Sequence, residues 1–278
     1  MATQGIFMSE VFKDDQPVAT GKLKGFYIFD GPEELFRTAA RVLLELCLVE
    51  VARKGYFTVV LSGGSTPLGL YSLLASAEFR ERVAWKDIHF FWGDERCAPP
   101  DDELSNYGAA MREMFSKVDV PEGNIHRMRG EAPPSEAALE YEREIKDFFR
   151  ERGAAAPSFD MVFLGLGEDG HTLSLFPGSG ALTERERLVV ESLAGDDGPV
   201  RLTMTLPLVN TAGVCAFLVS GKGKSRILRA VMEDESVRYP AGMVAPRSGN
   251  LVWFVDKGAA SIISGIPGVL GPSRRAGG

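Results

Sequence analysis

The chain has 278 residues, 45% of them apolar, and a formal net charge of −7. That length and apolar content supply a sizeable core and exclude global disorder. The acidic balance excludes a general nucleic-acid binder or membrane-surface protein, because phosphate-rich partners select basic faces. Any anion site must therefore be local.

The opening stretch, MATQGIFMSEVFKDDQPVATGK, has no continuous apolar core behind a basic end, and no run of about 18 apolar residues follows anywhere. A soluble, unprocessed protein is expected. Residues 1–24 read as an N-terminal extension, 25–265 as a single α/β domain, and 266–278 as a loose tail. The three cysteines, Cys47, Cys97 and Cys215, are far apart and lack CxxC spacing. Neither a disulfide framework nor a zinc knuckle is expected from them, and a reducing cytoplasm is the expected setting.

Along the chain, β-rich apolar runs alternate with helix-length amphipathic stretches. The runs are GFYIF, FTVVLSG, DIHFFWGD, FDMVFLGLG, VRLTMT, VCAFLVSG and NLVWFVD, and this rhythm predicts parallel strands joined by crossover helices. The first long helix follows GFYIF, with Asp30 as its expected cap, Pro32 in its first turn and Gly55 at its end. Further helices are expected to open within DDELSNYGAAMREMF and to run over Ala137 to Phe149. RGEAPPSEAALEYEREI and LAGDDGPV read as surface connections. Thr58 to Leu61 and Met161 to Leu164 are nearly all apolar, which implies a sheet covered on both faces. The expected fold is a doubly wound, mostly parallel α/β sheet, Rossmann-like, with ligands at the carboxyl ends of its strands.

Three of those ends carry polar, glycine-containing turns: SGGSTP (Ser62 to Pro67), GDER (Gly93 to Arg96) and GLGEDGH (Gly165 to His171). The last contains G-x-G-x-x-G, the dinucleotide fingerprint, and Glu191 stands near the position of its distal acid. Pro177, however, limits any helix from His171 to under two turns, and Asp169 would set negative charge against a pyrophosphate. VSGKGKS fails as a P-loop because Leu218 occupies the first glycine position. GGSTP fails as a nucleophile elbow because Pro67 replaces the final glycine. No cofactor and no metal is expected. His89, inside IHFFW, reads as a satisfied interior residue, and His126 has no catalytic neighbour in sequence.

Backbone N–H groups of Gly63, Gly64 and Ser65 before a helix make a phosphate cradle, with Ser62 and Thr66 nearby. Arg201 and Lys224, on two later strand-associated stretches, are candidates for second and third anion contacts. His171 is the candidate general base because a neutral imidazole exchanges protons efficiently near neutral pH. Asp169 is placed to orient it, Arg96 to stabilise an oxyanion, and Asp94 to hold the loop.

LSGGSTP, FFWGDER, GLGEDGHTLSLFPG, VRLTMTLPLVN, VSGKGKSRIL and GNLVWFVDKGAA together resemble the glucosamine-6-phosphate isomerase/6-phosphogluconolactonase superfamily, on its lactonase branch. The likeness runs in order from about Phe26 to Ala260. It implies hydrolysis of 6-phospho-D-glucono-1,5-lactone to 6-phosphogluconate without a cofactor. It also implies a phosphate loop at Gly63, Gly64 and Ser65, basic phosphate contacts from Arg201 and Lys224, and a catalytic turn of Asp169 and His171, with Arg96 the GDER arginine. The partner implied is a phosphorylated sugar lactone, with no nucleic acid or membrane, in a monomer or weak homodimer. In the sister deaminases a glutamate follows the histidine. Here Phe176 stands in its place, and DER replaces a DEY-like motif. A deaminase and a non-catalytic sugar-phosphate sensor are the alternatives. Lys222 competes with Lys224 for the phosphate.

Overall fold

A computed structural model describes residues 25–195, 198–234 and 236–263. The N-terminal extension and the tail expected at 1–24 and 266–278 lie outside the described residues. Seven parallel strands form the main sheet: β1 (Gly25–Phe29), β2 (Phe57–Leu61), β3 (Ile88–Trp92), β5 (Ile125–His126), β6 (Met161–Leu164), β9 (Val214–Val219) and β10 (Asn250–Asp256), in the order β1-β10-β9-β6-β2-β3-β5. β4 (Asp94–Arg96), β7 (Val189–Leu193) and β8 (Val200–Met204) make a separate antiparallel sheet in the order β4-β8-β7.

Residues of β2, β6 and β9 are buried throughout, and alternation along the pleat divides them between two cores. Phe57, Val59 and Leu61 pack beneath helices α1 (Pro32–Lys54) and α2 (Ser65–Leu74), together with Leu43, Leu70 and Tyr71. Val60, Val162 and Leu164 face the other way, toward Tyr141, Ile145 and Phe149 of α4 (Pro134–Glu151). Covering both faces explains the unbroken apolar runs, and it is the doubly wound arrangement read from them.

Three local expectations differ from the structure, and the first is RGEAPPSEAALEYEREI: read as a surface connection, it enters α4 at Pro134 and buries Tyr141 and Ile145. Gly31, not Asp30, occupies the N-cap of α1, with Pro32 next and Gly55 closing the helix in the left-handed region at φ 84°. The Asp30 carboxylate instead pairs with Lys257 at 2.5 Å, and the Asp30 N–H donates to Glu34 at 2.9 Å. VRLTMT is a strand but not a parallel one: as β8 it pairs antiparallel with β4 and β7. Its residues at Arg201 and Leu202 face a short polar strand, DER, that apolar periodicity does not detect.

From β2 the chain moves outward through β3 to β5, then returns to lay β6 on the other side of β2 and proceeds through β9 to β10. The strand order therefore reverses between β2 and β6. In an open α/β sheet that reversal parts the loops at the strands' carboxyl ends and opens a crevice between them. The loops that leave β2 and β6 are those containing Gly63 and Gly165.

Candidate active site

A cavity of about 460 Å³ occupies the crevice. Its lining brings together every site residue picked out in the sequence: Gly63, Gly64 and Ser65 from the first loop, Asp94 and Arg96 from β4, Asp169 and His171 from the loop after β6, Arg201 from β8 and Lys224 after β9. Lys222 is not among the lining residues, so of the two neighbouring lysines Lys224 is the one that reaches the cavity.

The first loop is pinned from below. Tyr71, buried in α2, donates from its hydroxyl to the Ser62 carbonyl and accepts from the Ser62 N–H, both at 2.9 Å. Gly64 caps α2 at φ 99°, a conformation that glycine adopts at little cost. The first N–H groups of α2 have no intrahelical acceptor, and Gly64, Ser65 and Thr66 at this helix start line the cavity, an arrangement that suits an anion. Gly63 admits no side chain, because a Cβ there would lie 2.0 Å from Asn106 Oδ1.

Asn106 opens α3 (Asn106–Glu113) behind the Ser105 N-cap, and it ties this loop to GDER. Its Nδ2 donates to the Asp94 carbonyl at 3.0 Å and, more weakly, to the Asp94 carboxylate at 3.4 Å. Asp94 Oδ2 accepts from Ser174 Oγ at 2.7 Å, which reaches the segment after His171. Buried Glu95 accepts from the N–H groups of Asn106 and Tyr107 at 2.7 and 2.8 Å and from the Arg96 N–H at 2.8 Å. Burial raises the Glu95 carboxyl above its ordinary range even against these bonds. Asp94 thus links β4 to α3 and to the segment after His171. Asn106, Glu95 and Ser174 are the supports that the sequence reading missed; the only local signal was the Ser-Asn step of a helix start.

Antiparallel pairing of β4 with β8 sets Arg96 directly opposite Arg201. Arg96 Nη1 donates to the Leu104 carbonyl at 2.8 Å. The Nε–H groups of both arginines are buried with no acceptor among the described residues, an uncommon condition for a charged donor. Burial, and then the charge of Arg96, lower the affinity of Arg201 for its proton. Two adjacent guanidinium groups with unused donors suit an anionic ligand that shares its oxygens between them.

The loop after β6 folds into a tight turn. Gly167 N–H donates to the His171 carbonyl at 2.8 Å, Gly170 N–H donates to the Gly167 carbonyl at 3.2 Å, and Gly170 adopts φ 83°. No helix opens at the turn, the next being the four residues Gly180–Thr183; Thr172 and Leu175 form an isolated bridge, so the dinucleotide reading lacks the element it needs. His171 Nδ1 lies 2.5 Å from Asp169 Oδ1, which also accepts the His171 N–H at 3.1 Å. Burial pushes the Asp169 carboxyl up, but the hydrogen bonds and charge of His171 outweigh it and hold the group below its ordinary value. An ionised carboxylate only accepts, so Nδ1 is the donor and a neutral imidazole keeps its lone pair on Nε2. Leu173 adopts φ 54°, a strained region for a leucine, and its Cδ2 occupies the space where a Gly93 side chain would be, 2.5 Å from that Cβ position.

The switch-point crevice thus joins a helix start, an arginine pair and a histidine hydrogen-bonded to an aspartate, a combination suited to phosphorylated small molecules. The chain belongs to the glucosamine-6-phosphate isomerase/6-phosphogluconolactonase family, whose model matches residues 30–253. It is 40% identical over 230 residues to a 6-phosphogluconolactonase of Synechocystis sp., an alignment covering 79% of this chain and 93% of that protein. The crystal structure of a 6-phosphogluconolactonase from Thermotoga maritima superimposes with a TM-score of 0.71 at 30% identity, covering 84% of this chain and 100% of that one. A monomeric glucosamine-6-phosphate deaminase shares the fold at a TM-score of 0.70 and 22% identity, over 86% of this chain and 99% of that one. Fold likeness alone therefore does not separate the two branches.

Proposed function

We propose that the protein hydrolyses 6-phospho-D-glucono-1,5-lactone to 6-phosphogluconate. The observation that carries this reading is a His171 imidazole whose Nδ1 is committed to Asp169 while its Nε2 has no partner among the described residues, in a cavity that also holds Arg96 and Arg201. The phosphate sits at the start of α2, against Gly63, Gly64 and Ser65, with Lys224 and Arg201 balancing its charge. Charge-assisted bonds of about 1.5–3 kcal/mol each anchor it after association costs are met.

With the phosphate fixed, the ring ester faces His171. Nε2 takes a proton from a water molecule as that water attacks the lactone carbonyl, and the carbonyl π electrons move onto oxygen. Arg96 stabilises the resulting oxyanion. The intermediate collapses by breaking the bond between the acyl carbon and the ring oxygen. His171, now an imidazolium, returns its proton to that leaving oxygen, which becomes a hydroxyl. The carboxylic acid so formed ionises in water. Water is the only co-substrate, and no step needs an oxidant or reductant.

Phe176 supports the lactonase reading over deamination, since it stands where the deaminase branch carries a glutamate and it has no proton to exchange. A sensor without turnover has no use for a histidine oriented in this way. The test is the decay of freshly made 6-phosphogluconolactone against its spontaneous hydrolysis, run beside ammonia release from glucosamine 6-phosphate. Accelerated lactone loss without ammonia is the expected result. Ammonia release without lactone turnover would transfer the chain to the deaminase branch, and binding without either would make it a sensor.

A further inference from the structure

Phe176 is 7% exposed and is not among the cavity-lining residues, yet it touches two groups that are. Its ring centroid lies 4.6 Å from that of His171 at an interplanar angle of 53°. The Arg201 guanidinium carbon lies 5.3 Å from the same Phe176 centroid. The imidazole meets a second constraint at Gly167, where a Cβ would fall 2.2 Å from Nδ1 and 2.3 Å from Cε1. His171 is thus confined by the bare backbone of Gly167, by the Phe176 ring and by Asp169 at Nδ1.

We propose that Phe176 is a positioning residue for catalysis: its ring closes a slot that holds the His171 imidazole in the one rotamer with Nδ1 on Asp169 and Nε2 free, and ties that rotamer to the position of Arg201. The inference rests on the lactonase reading for its rate measurement, but the slot itself is a structural claim. The hydrogen bond to Asp169 leaves the imidazole free to pivot about the Nδ1 contact. The Phe176 ring and the bare Gly167 backbone, both against the imidazole, restrict that freedom. Through its face Phe176 also attracts the Arg201 cation, so the base and a neighbouring positive charge are registered by one side chain. A small misplacement of a catalytic group is costly because the reacting atoms must meet within a narrow range of distance and angle.

The test replaces Phe176 by Leu and, in parallel, by Met, which keep the site apolar and without a ring, and by Tyr, which keeps the ring. Rates are measured on the lactone, and the ¹⁵N signals of the His171 imidazole are recorded on the same folded proteins. Phe176→Leu and Phe176→Met are expected to lower kcat about tenfold and to replace the single Nδ1–H tautomer signature by averaged signals. Phe176→Tyr is expected to restore the signature and to bring kcat within about threefold of the parent. Full kcat in a folded Leu or Met variant would overturn the proposal. So would a fall in kcat with an unchanged tautomer signature and no rescue by Tyr, which is the result of a merely structural role. If the parent itself does not accelerate lactone decay, the lactonase reading fails, while the ¹⁵N comparison still decides the slot.

Discussion

Among the described residues there are two histidine–carboxylate pairs, and they differ in what surrounds the second ring nitrogen. His126 Nδ1 lies 2.7 Å from Glu144 Oε1, much as His171 Nδ1 lies 2.5 Å from Asp169 Oδ1. At the first pair the other ring nitrogen is spent, since His126 Nε2 lies 3.1 Å from His89 Nδ1. The ring is also packed, stacked on Phe91 at 4.3 Å and 7° and edged by Phe148. Burial, with the neighbouring charges of His126 and Arg152, lowers His89 to a pKa of about 4, which keeps that ring neutral in ordinary buffers. At the second pair Nε2 is unspent and the ring borders a cavity. A carboxylate on Nδ1 does not by itself make a histidine a base; a free nitrogen facing an anchored substrate does.

Breaking the comparison should therefore give unequal results. His171→Ala is expected to remove about 10²- to 10⁴-fold of the lactone rate, the usual contribution of general acid–base catalysis, whereas His126→Phe is expected to leave it within about twofold. Equal losses in rate assays on the two folded variants would erase the distinction. Arg96→Ala is next, with an expected loss of about 10²- to 10³-fold in kcat, the size of one oxyanion donor. A change confined to KM would move Arg96 to the phosphate end. Gly167→Ala places a methyl 2.2 Å from Nδ1 and must displace the imidazole, so kcat is expected to fall about 10²-fold while thermal unfolding still shows a folded protein.

The smallest effect on rate is expected at Glu142, which does not line the cavity. Glu142, side chain 7% exposed, accepts from Arg187 Nε at 2.8 Å and Lys146 Nζ at 2.6 Å, and ties α4 to the N–H groups of Leu188 and Val189. Burial pushes its carboxyl up, but these partners prevail and hold it at about 2. A carboxyl depressed by folding stabilises the protein above its unfolded range, and that contribution disappears as pH falls through the folded value. Glu142→Gln is expected to cost about 3 kcal/mol at neutral pH, with the difference from the parent closing between about pH 4.5 and 2. Denaturant unfolding at several pH values reads this, and lactone kcat is expected to stay within about twofold.

Much of this arrangement is legible in the sequence, for reasons that differ by element. β2, β6 and β9 announce themselves because burial on both faces demands unbroken apolar runs. β4, β5 and β7 do not: DER is polar, Ile125–His126 is two residues long, and VVESL is exposed at Glu191 and Leu193. The antiparallel placement of β8 was missed with them, since its partners carry no apolar signal. The glycine and charged residues picked out at the cavity were readable because they cluster in or after turns at the carboxyl ends of strands, where an α/β sheet gathers its ligands. Asn106, Glu95 and Ser174 were not, because their roles are hydrogen bonds to residues 11 to 80 positions away, which no local pattern encodes. Leu173 shows nothing in sequence of its strained φ of 54°.

The central claim is that a neutral imidazole at His171, with Nε2 unspent, takes the proton in the first chemical step. The pH dependence of kcat/KM for lactone hydrolysis, corrected for the spontaneous reaction, tests it most directly. Because the imidazolium cannot accept a proton, the account predicts an acid limb falling about tenfold per pH unit, with one proton controlling the loss. A flat profile from about pH 5 to 8 would contradict it and assign the first proton transfer to another group.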